Sequence, residues 1–108
     1  MKRGDIITIA AQGDYGKPRP AVVIQSDNLG ETDSLLVCLV TSTLRDASVY
    51  RLNVAHGEAT GLEMPSQIMA DKIMAVRRTK CSAAIGNLDK TTIQALNRML
   101  TVVIGIAD

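Results

Sequence analysis

Helical periodicity is confined to the end of this chain. Ile93, Leu96, Leu100, Val103, Ile104 and Ala107 recur at spacings that place them on one helical face, and Asp89 stands ahead of them as an N-cap after a Gly86-Asn87 turn. Before that point the apolar residues fall into short β-branched runs separated by turn formers. Asp5 to Ala10, Pro20 to Gln25 and Ser34 to Thr41 read as strands, the last apolar enough to be buried on both faces. Tyr50 to Val54 alternates like a half-buried strand. Ser66 to Met69 and Asp71 to Val76 read as two short strands or one bent one. Between them lie a Gly-rich loop (Ala11 to Lys17), an acidic loop (Ser26 to Asp33) and a turn region (Ala55 to Gly61), while Arg77 to Ser82 suits a single helical turn. Five or six short strands followed by one long helix favour a small curled barrel with a helix packed on it.

The 108 residues suffice for one domain with its own core, and 46% of them are apolar. With no Trp, no Phe and only Tyr15 and Tyr50, that core must be built from Ile, Val, Leu and Met. The same shortage excludes an extended platform for stacking bases, so any nucleic-acid binding must rest on phosphate contacts, hydrogen bonds and groove shape. Net charge is +1, unevenly spread. Residues 1–20 carry four basic and two acidic side chains, residues 71–108 six and three, and residues 21–70 two and six. Termini that fold together would form a modest basic face suited to a short RNA.

Cys38 and Cys81 lack CxxC spacing and carry no metal or redox signature, which predicts two reduced thiols in a cytoplasmic protein. The N-terminus has no secretory h-region, and the apolar runs are too short to span a membrane. His56, the single histidine, sits in a stretch that reads as an exposed turn, which excludes chemistry built on two histidines.

The candidate functional residues are cations and hydroxyls. In Lys17-Pro18-Arg19-Pro20, which runs into Ala21-Val22-Val23-Ile24, a proline on each side of Arg19 biases it and Lys17 towards extended backbone. A guanidinium at the mouth of a strand is a permanent cation with five donors, suited to a phosphate or a carboxylate. Thr41-Ser42-Thr43 ends the third strand with three consecutive hydroxyls. Asp71-Lys72 would share a site only across a bulge, since neighbours on a strand point to opposite faces. Arg77-Arg78-Thr79-Lys80 is a basic cluster able to meet phosphates.

Taken in order, these elements resemble the PemK/MazF family of type II toxin–antitoxin toxins over nearly the whole chain. They are Lys2-Arg3-Gly4-Asp5, the Gly-rich loop, Arg19-Pro20-Ala21-Val22-Val23-Ile24-Gln25 with Asp27, the strand ending Val40-Thr41, Gly61 with Ser66, and Ile85-Gly86-Asn87-Leu88 with Asp89. The resemblance implies an SH3-like, mainly β barrel of about five to seven short strands with a long C-terminal helix, residues 1–108 forming a single homodimeric domain. It implies a cytoplasmic, ribosome-independent endoribonuclease that cuts single-stranded RNA without metal or cofactor, by attack of the ribose 2′-hydroxyl on the adjacent phosphorus. A cognate antitoxin would insert a C-terminal tail into the RNA groove. Carried over by position, Arg19 and Thr41 take the catalytic roles, with Lys17, Ser42 and Thr43 beside them in RNA binding. Many family members carry a carboxylate-Gln-apolar-Arg run on the late strand; here it is Asp71-Lys72-Ile73-Met74, so Lys72, Arg77 or Arg78 must supply the second cation. Two other functions fit such a barrel: a CcdB-like gyrase poison, disfavoured by the absence of tryptophan, and an inactive binding module.

Overall fold

A computed structural model describes residues 1–10 and 17–108. Its strands are β1 (Asp5–Ala10), β2 (Pro18–Val23), β3 (Ser34–Thr41), β4 (Arg51–Val54), β5 (Ser66–Arg77) and β6 (Gly86–Asn87), followed by the helix α1 (Lys90–Val103). The strands form one sheet in the order β4-β5-β3-β2-β1-β6, every pairing antiparallel. The small curled barrel with one helix, expected from the pattern of apolar runs, is thus met as a six-stranded half-barrel. The Gly-rich loop anticipated over Ala11 to Lys17 lies outside the described residues except for Lys17.

Period-two alternation divides the central strands between two cores. Ile6, Val22, Cys38, Val40 and Ile68 pack with Leu96 and Leu100 of α1, whereas Ile7, Ile9, Ala21, Val23, Leu35, Val37 and Val76 form a second cluster. β3 contributes to both, as its continuous apolar sequence predicts; Leu36 alone of its apolar residues is exposed. Cys38 belongs to the first cluster and Cys81 packs against the second, so the two thiols lie apart and each is free.

Two elements, β2 and the Gly86-Asn87 segment, differ from the sequence expectation, and for β5 the structure decides between the two readings left open. β2 begins at Pro18 rather than Pro20 and ends at Val23, although Ile24 and Gln25 still donate to the Leu36 carbonyl at 3.0 and 3.3 Å. Both prolines are tolerated because they pair only with β1, opposite Ala10 and Thr8, before β3 joins at Ala21. β5 is one bent strand of 12 residues. Cys38 faces Ile73 and Val40 faces Ile68, so residues 69–72 stand across from Leu39 alone, an irregularity that bends the strand from β3 towards β4. Gly86-Asn87, expected as a turn, is a short strand pairing Asp5 and Ile6. A Cβ at Gly86 would come within 2.3 Å of the Thr60 carbonyl carbon, so only glycine lets these two segments touch.

The helix starts and stops for local reasons. Asp89 Oδ1 accepts from the Thr92 N–H at 2.7 Å. At the other end Gly105 adopts φ +81°, and N–H groups of Gly105 and Ile106 return to the carbonyls of Val102 and Thr101 at 3.2 and 3.0 Å, a Schellman ending. The apolar period runs past this stop, leaving Ile104 and Ala107 exposed beyond the helix. Hydrogen bonds from Thr92 hold the Asp89 carboxyl below its ordinary value of 3.8. A depressed folded-state value stabilises the fold above the unfolded value, and the gain vanishes as pH falls through the folded one. Asp89→Ala should therefore lower Tm by several degrees at pH 7, and the gap between the two proteins should close as pH falls below about 3.8 in thermal melts. A gap that stays constant down to pH 2 would contradict the capping role.

Candidate functional site

The groove at the Thr41 end of β3 has a volume of about 560 Å³. One wall comes from β1 to β3: Thr8, residues 17–20, and Val40, Thr41 and Ser42. The other comes from the β4–β5 connection, with Gly61, Leu62, Glu63, Met64 and Ser66, and from Ile85. Close contact within this second wall, between the β4–β5 connection and Ile85, depends on Gly61, whose φ is +73° and whose absent Cβ would meet the Ile85 carbonyl oxygen.

Arg19 and Thr41 meet at this groove. The β2–β3 ladder ends with Ala21 paired to Leu39, and Arg19 and Thr41, two residues beyond that pair on either strand, both line the groove. Arg19 is exposed and Thr41 half-buried. Thr41 Oγ1 accepts from the Thr43 backbone N–H at 3.1 Å, so its oxygen is oriented and its proton remains available to donate. Lys17 and Ser42 complete the predicted set lining this groove. Its described ionisable residues are Lys17, Arg19 and Glu63, a positive balance that suits a phosphodiester. Glu63 carries no local signal in the sequence, and Met64 reads there as core or interface filler, because only the folded β4–β5 connection brings them here; Thr8, likewise without a local signal, arrives through its pairing with Pro20.

The remaining cations lie elsewhere. Arg77 pairs with Ser34, at the opposite end of β3 from Thr41, and lines a separate depression with Asp33 and Thr79. At about 3.3 Å per residue, the length of β3 puts roughly 23 Å between Arg77 and the groove. Arg78 is held by its own environment, its Nε donating to the Thr32 carbonyl beside Glu31 and Asp27. Lys72 sits in the bend of β5, exposed, its Nζ 3.8 Å from Asp71 Oδ2. Thr43 does not line the groove; its carbonyl accepts from Arg51 Nη1 at 3.0 Å. Within one chain the structure therefore brings together Arg19, Thr41, Lys17 and Ser42, and does not bring Lys72, Arg77 or Arg78 to them.

Other chemistry-bearing residues are accounted for by structure. Arg3 ties the N-terminus to the helix: its Nε donates to the Ile24 carbonyl at 2.8 Å and its Nη1 to Asn97 Oδ1 at 2.6 Å, while Asp27 Oδ1 accepts from its backbone N–H. His56 is exposed beyond β4, outside the groove lining. Burial pushes the Cys38 thiol up to about 11 and raises that of Cys81, so neither is a nucleophilic thiolate near neutrality. Among the described residues no three His, Cys, Asp or Glu side chains cluster to hold a metal, and no helix is long and apolar enough to cross a membrane.

Comparison with known proteins agrees with this architecture. Residues 2–104 match the family of PemK-like, MazF-like toxins of type II toxin–antitoxin systems. A probable endoribonuclease MazF from Mycolicibacterium smegmatis is 41% identical over 108 residues, covering 99% of each chain. A mycobacterial endoribonuclease solved in complex with its cognate antitoxin superposes with a TM-score of 0.77 at 19% identity, over 98% of this chain and 96% of that one. MazF in a MazE–MazF complex from Deinococcus radiodurans gives 0.77 at 16% identity, over 97% and 96%. The Mycobacterium tuberculosis toxin MazF-mt6 gives 0.74 at 21% identity, over 92% and 95%. With a fold shared with these structures and a family match along nearly its whole length, the chain belongs to the PemK-like, MazF-like toxins of type II toxin–antitoxin systems.

Proposed function

We propose that this protein is an endoribonuclease toxin that cuts single-stranded RNA in the groove between β1–β3 and the β4–β5 connection. The observation that carries the reading is the convergence of Arg19 and Thr41, distant in sequence, on one positively balanced groove. The ribose 2′-oxygen attacks the adjacent phosphorus, the bond from phosphorus to the 5′-oxygen breaks, and the products are a cyclic phosphate and a 5′-hydroxyl. The 2′-hydroxyl gives up its proton and the leaving 5′-oxygen takes one up. Negative charge gathers on the phosphorane oxygens, and the Arg19 guanidinium stabilises it more than it stabilises the ground state. Thr41 donates its hydroxyl proton to a non-bridging oxygen and fixes the phosphate, while Lys17 and Ser42 hold the neighbouring backbone. No step in this scheme requires a metal or the ribosome.

The protein acts in the cytoplasm, as a homodimer, under the control of an antitoxin whose C-terminal tail occupies the same groove. Solved relatives described as complexes with an antitoxin support that partnership. In a homodimer, Lys72 or Arg78 would reach RNA across the subunit boundary rather than within one chain. Incubating the folded, antitoxin-free protein with a mixed RNA pool in EDTA should yield fragments with 5′-hydroxyl ends at recurrent short sequences. Intact RNA after that incubation would refute the proposal.

A further inference from the structure

The chain leaving Thr41 and Ser42 crosses to β4 past the end of β5, where Gln67 stands. Gln67 pairs with Thr41 on one side and Asn53 on the other, and its side chain is buried, only 6% exposed. Every hydrogen-bonding position of its amide is used. Nε2 donates to the Arg45 carbonyl and to Asn53 Oδ1, each at 2.9 Å; Oε1 accepts from the Arg45 N–H at 3.0 Å and from Arg51 Nη1 at 3.1 Å. Since the Arg45 backbone supplies both a donor and an acceptor, only one orientation of the amide satisfies it. Arg51 Nη1 also donates to the Thr43 carbonyl at 3.0 Å. The backbone from Thr43 to Arg45 is therefore held at three points immediately after the groove hydroxyls.

A core of Ile, Val and Leu would gain nothing from a buried amide at this position, and a strand end needs no such anchor to close a ladder. What the amide does is determine the direction in which the chain leaves Thr41. The Thr43 N–H, which orients Thr41 Oγ1, belongs to the clamped segment. We propose that Gln67 is a positioning residue for RNA cleavage, which fixes Thr43–Arg45 and thereby aims the Thr41 and Ser42 hydroxyls at the phosphate. This rests on the nuclease reading of the groove but adds a residue that touches neither RNA nor the reacting atoms. Because misplacement matters most where charge develops, the effect should fall on kcat rather than on KM.

The test uses the full-length protein and a short RNA containing its cleavage sequence. Gln67→Leu keeps the bulk and removes all four hydrogen bonds. It should lower kcat about 10- to 100-fold with KM within about threefold of wild type. Amide exchange at Arg45 should quicken by at least about tenfold as its acceptor is lost, while exchange in the central strands stays slow. Gln67→Glu keeps the bonds accepted from the Arg45 N–H and Arg51 but cannot donate to the Arg45 carbonyl, so kcat should fall less than in Gln67→Leu, by no more than about tenfold. A folded Gln67→Leu protein with wild-type kcat overturns the positioning role, as does an equal loss in the Leu and Glu variants. If Gln67→Leu does not fold, Arg51→Lys carries the same expectation of lower kcat at unchanged KM, and an unchanged kcat there overturns the role. A wild-type protein that cuts no RNA overturns the nuclease reading and this role with it, whereas active wild type beside an unaffected Gln67→Leu overturns this role alone.

Discussion

Arg19→Ala should lower the RNA cleavage rate about 10²- to 10³-fold, because its loss is one of transition-state charge stabilisation. Arg19 is exposed at the start of β2, where it pairs with Ile9 of β1. Arg19→Lys should recover little of the activity, since an ammonium restores the charge but not the planar set of donors that can span two phosphoryl oxygens. Arg77→Ala is the matched control. Its position at the far end of β3, roughly 23 Å away by strand length, lies well beyond the screening length at physiological salt. Within one subunit that substitution should change cleavage by less than about threefold; a larger effect would place Arg77 at a groove shared with a second subunit. Single-turnover kinetics on the purified variants decides the matter, and an Arg19→Ala protein that cuts at the wild-type rate removes Arg19 from the mechanism.

Leu96→Ala should destabilise the fold by about 3 kcal/mol, a large share of what a domain of this size possesses. Leu96 is 1% exposed and packs in the cluster containing Ile6, Val22, Cys38 and Ile68, which joins α1 to the sheet. With no Phe or Trp in the chain, no large aromatic neighbour can fill the cavity left behind. Val102→Ala on the same helix, at a residue 52% exposed, should cost less than about 0.5 kcal/mol. Urea denaturation measures both, and similar midpoints for the two variants would show that α1 is not anchored through Leu96. The groove lies at the strand ends rather than beneath the helix, so Leu96→Ala protein kept folded at low temperature should retain most of its cleavage activity.

Much of the architecture was legible because it is written in local patterns. The β-branched run Asp5–Ala10 and the apolar run Ser34–Thr41 form strands with the anticipated bounds. Asp89 caps the helix as its position after Gly86-Asn87 suggests. Where the reading failed, local preference met a tertiary requirement. Gly86-Asn87 has the composition of a turn, yet β1 offers it an unpaired edge and Thr60 leaves it no room for a Cβ. Pro18 precedes the expected start of its strand at Pro20, yet it joins β2 because it lies where no neighbour needs its missing N–H. Ile104 and Ala107 continue the helical period, yet Gly105 turns the chain out of the helix between them.

The candidate site divides in the same way. By itself the sequence determined the kinds of chemistry available: a guanidinium held in extended backbone by two prolines, three consecutive hydroxyls, no second histidine, and a helix with its own start and stop. These depend on φ preferences, side-chain functional groups and periodicity, all of which are properties of neighbours along the chain. Tertiary structure alone decided which of those groups meet. The end of the β2–β3 ladder brings Arg19 and Thr41 to one groove, the length of β3 carries Arg77 away from them, and the bend in β5 leaves Lys72 beside Asp71. It also gave Gln67 its task, since a buried amide acquires a function only from the four groups that surround it. Register and bending are set by pairing between residues distant in sequence, and a period-two pattern states which face a side chain takes without naming the strand that will lie beside it.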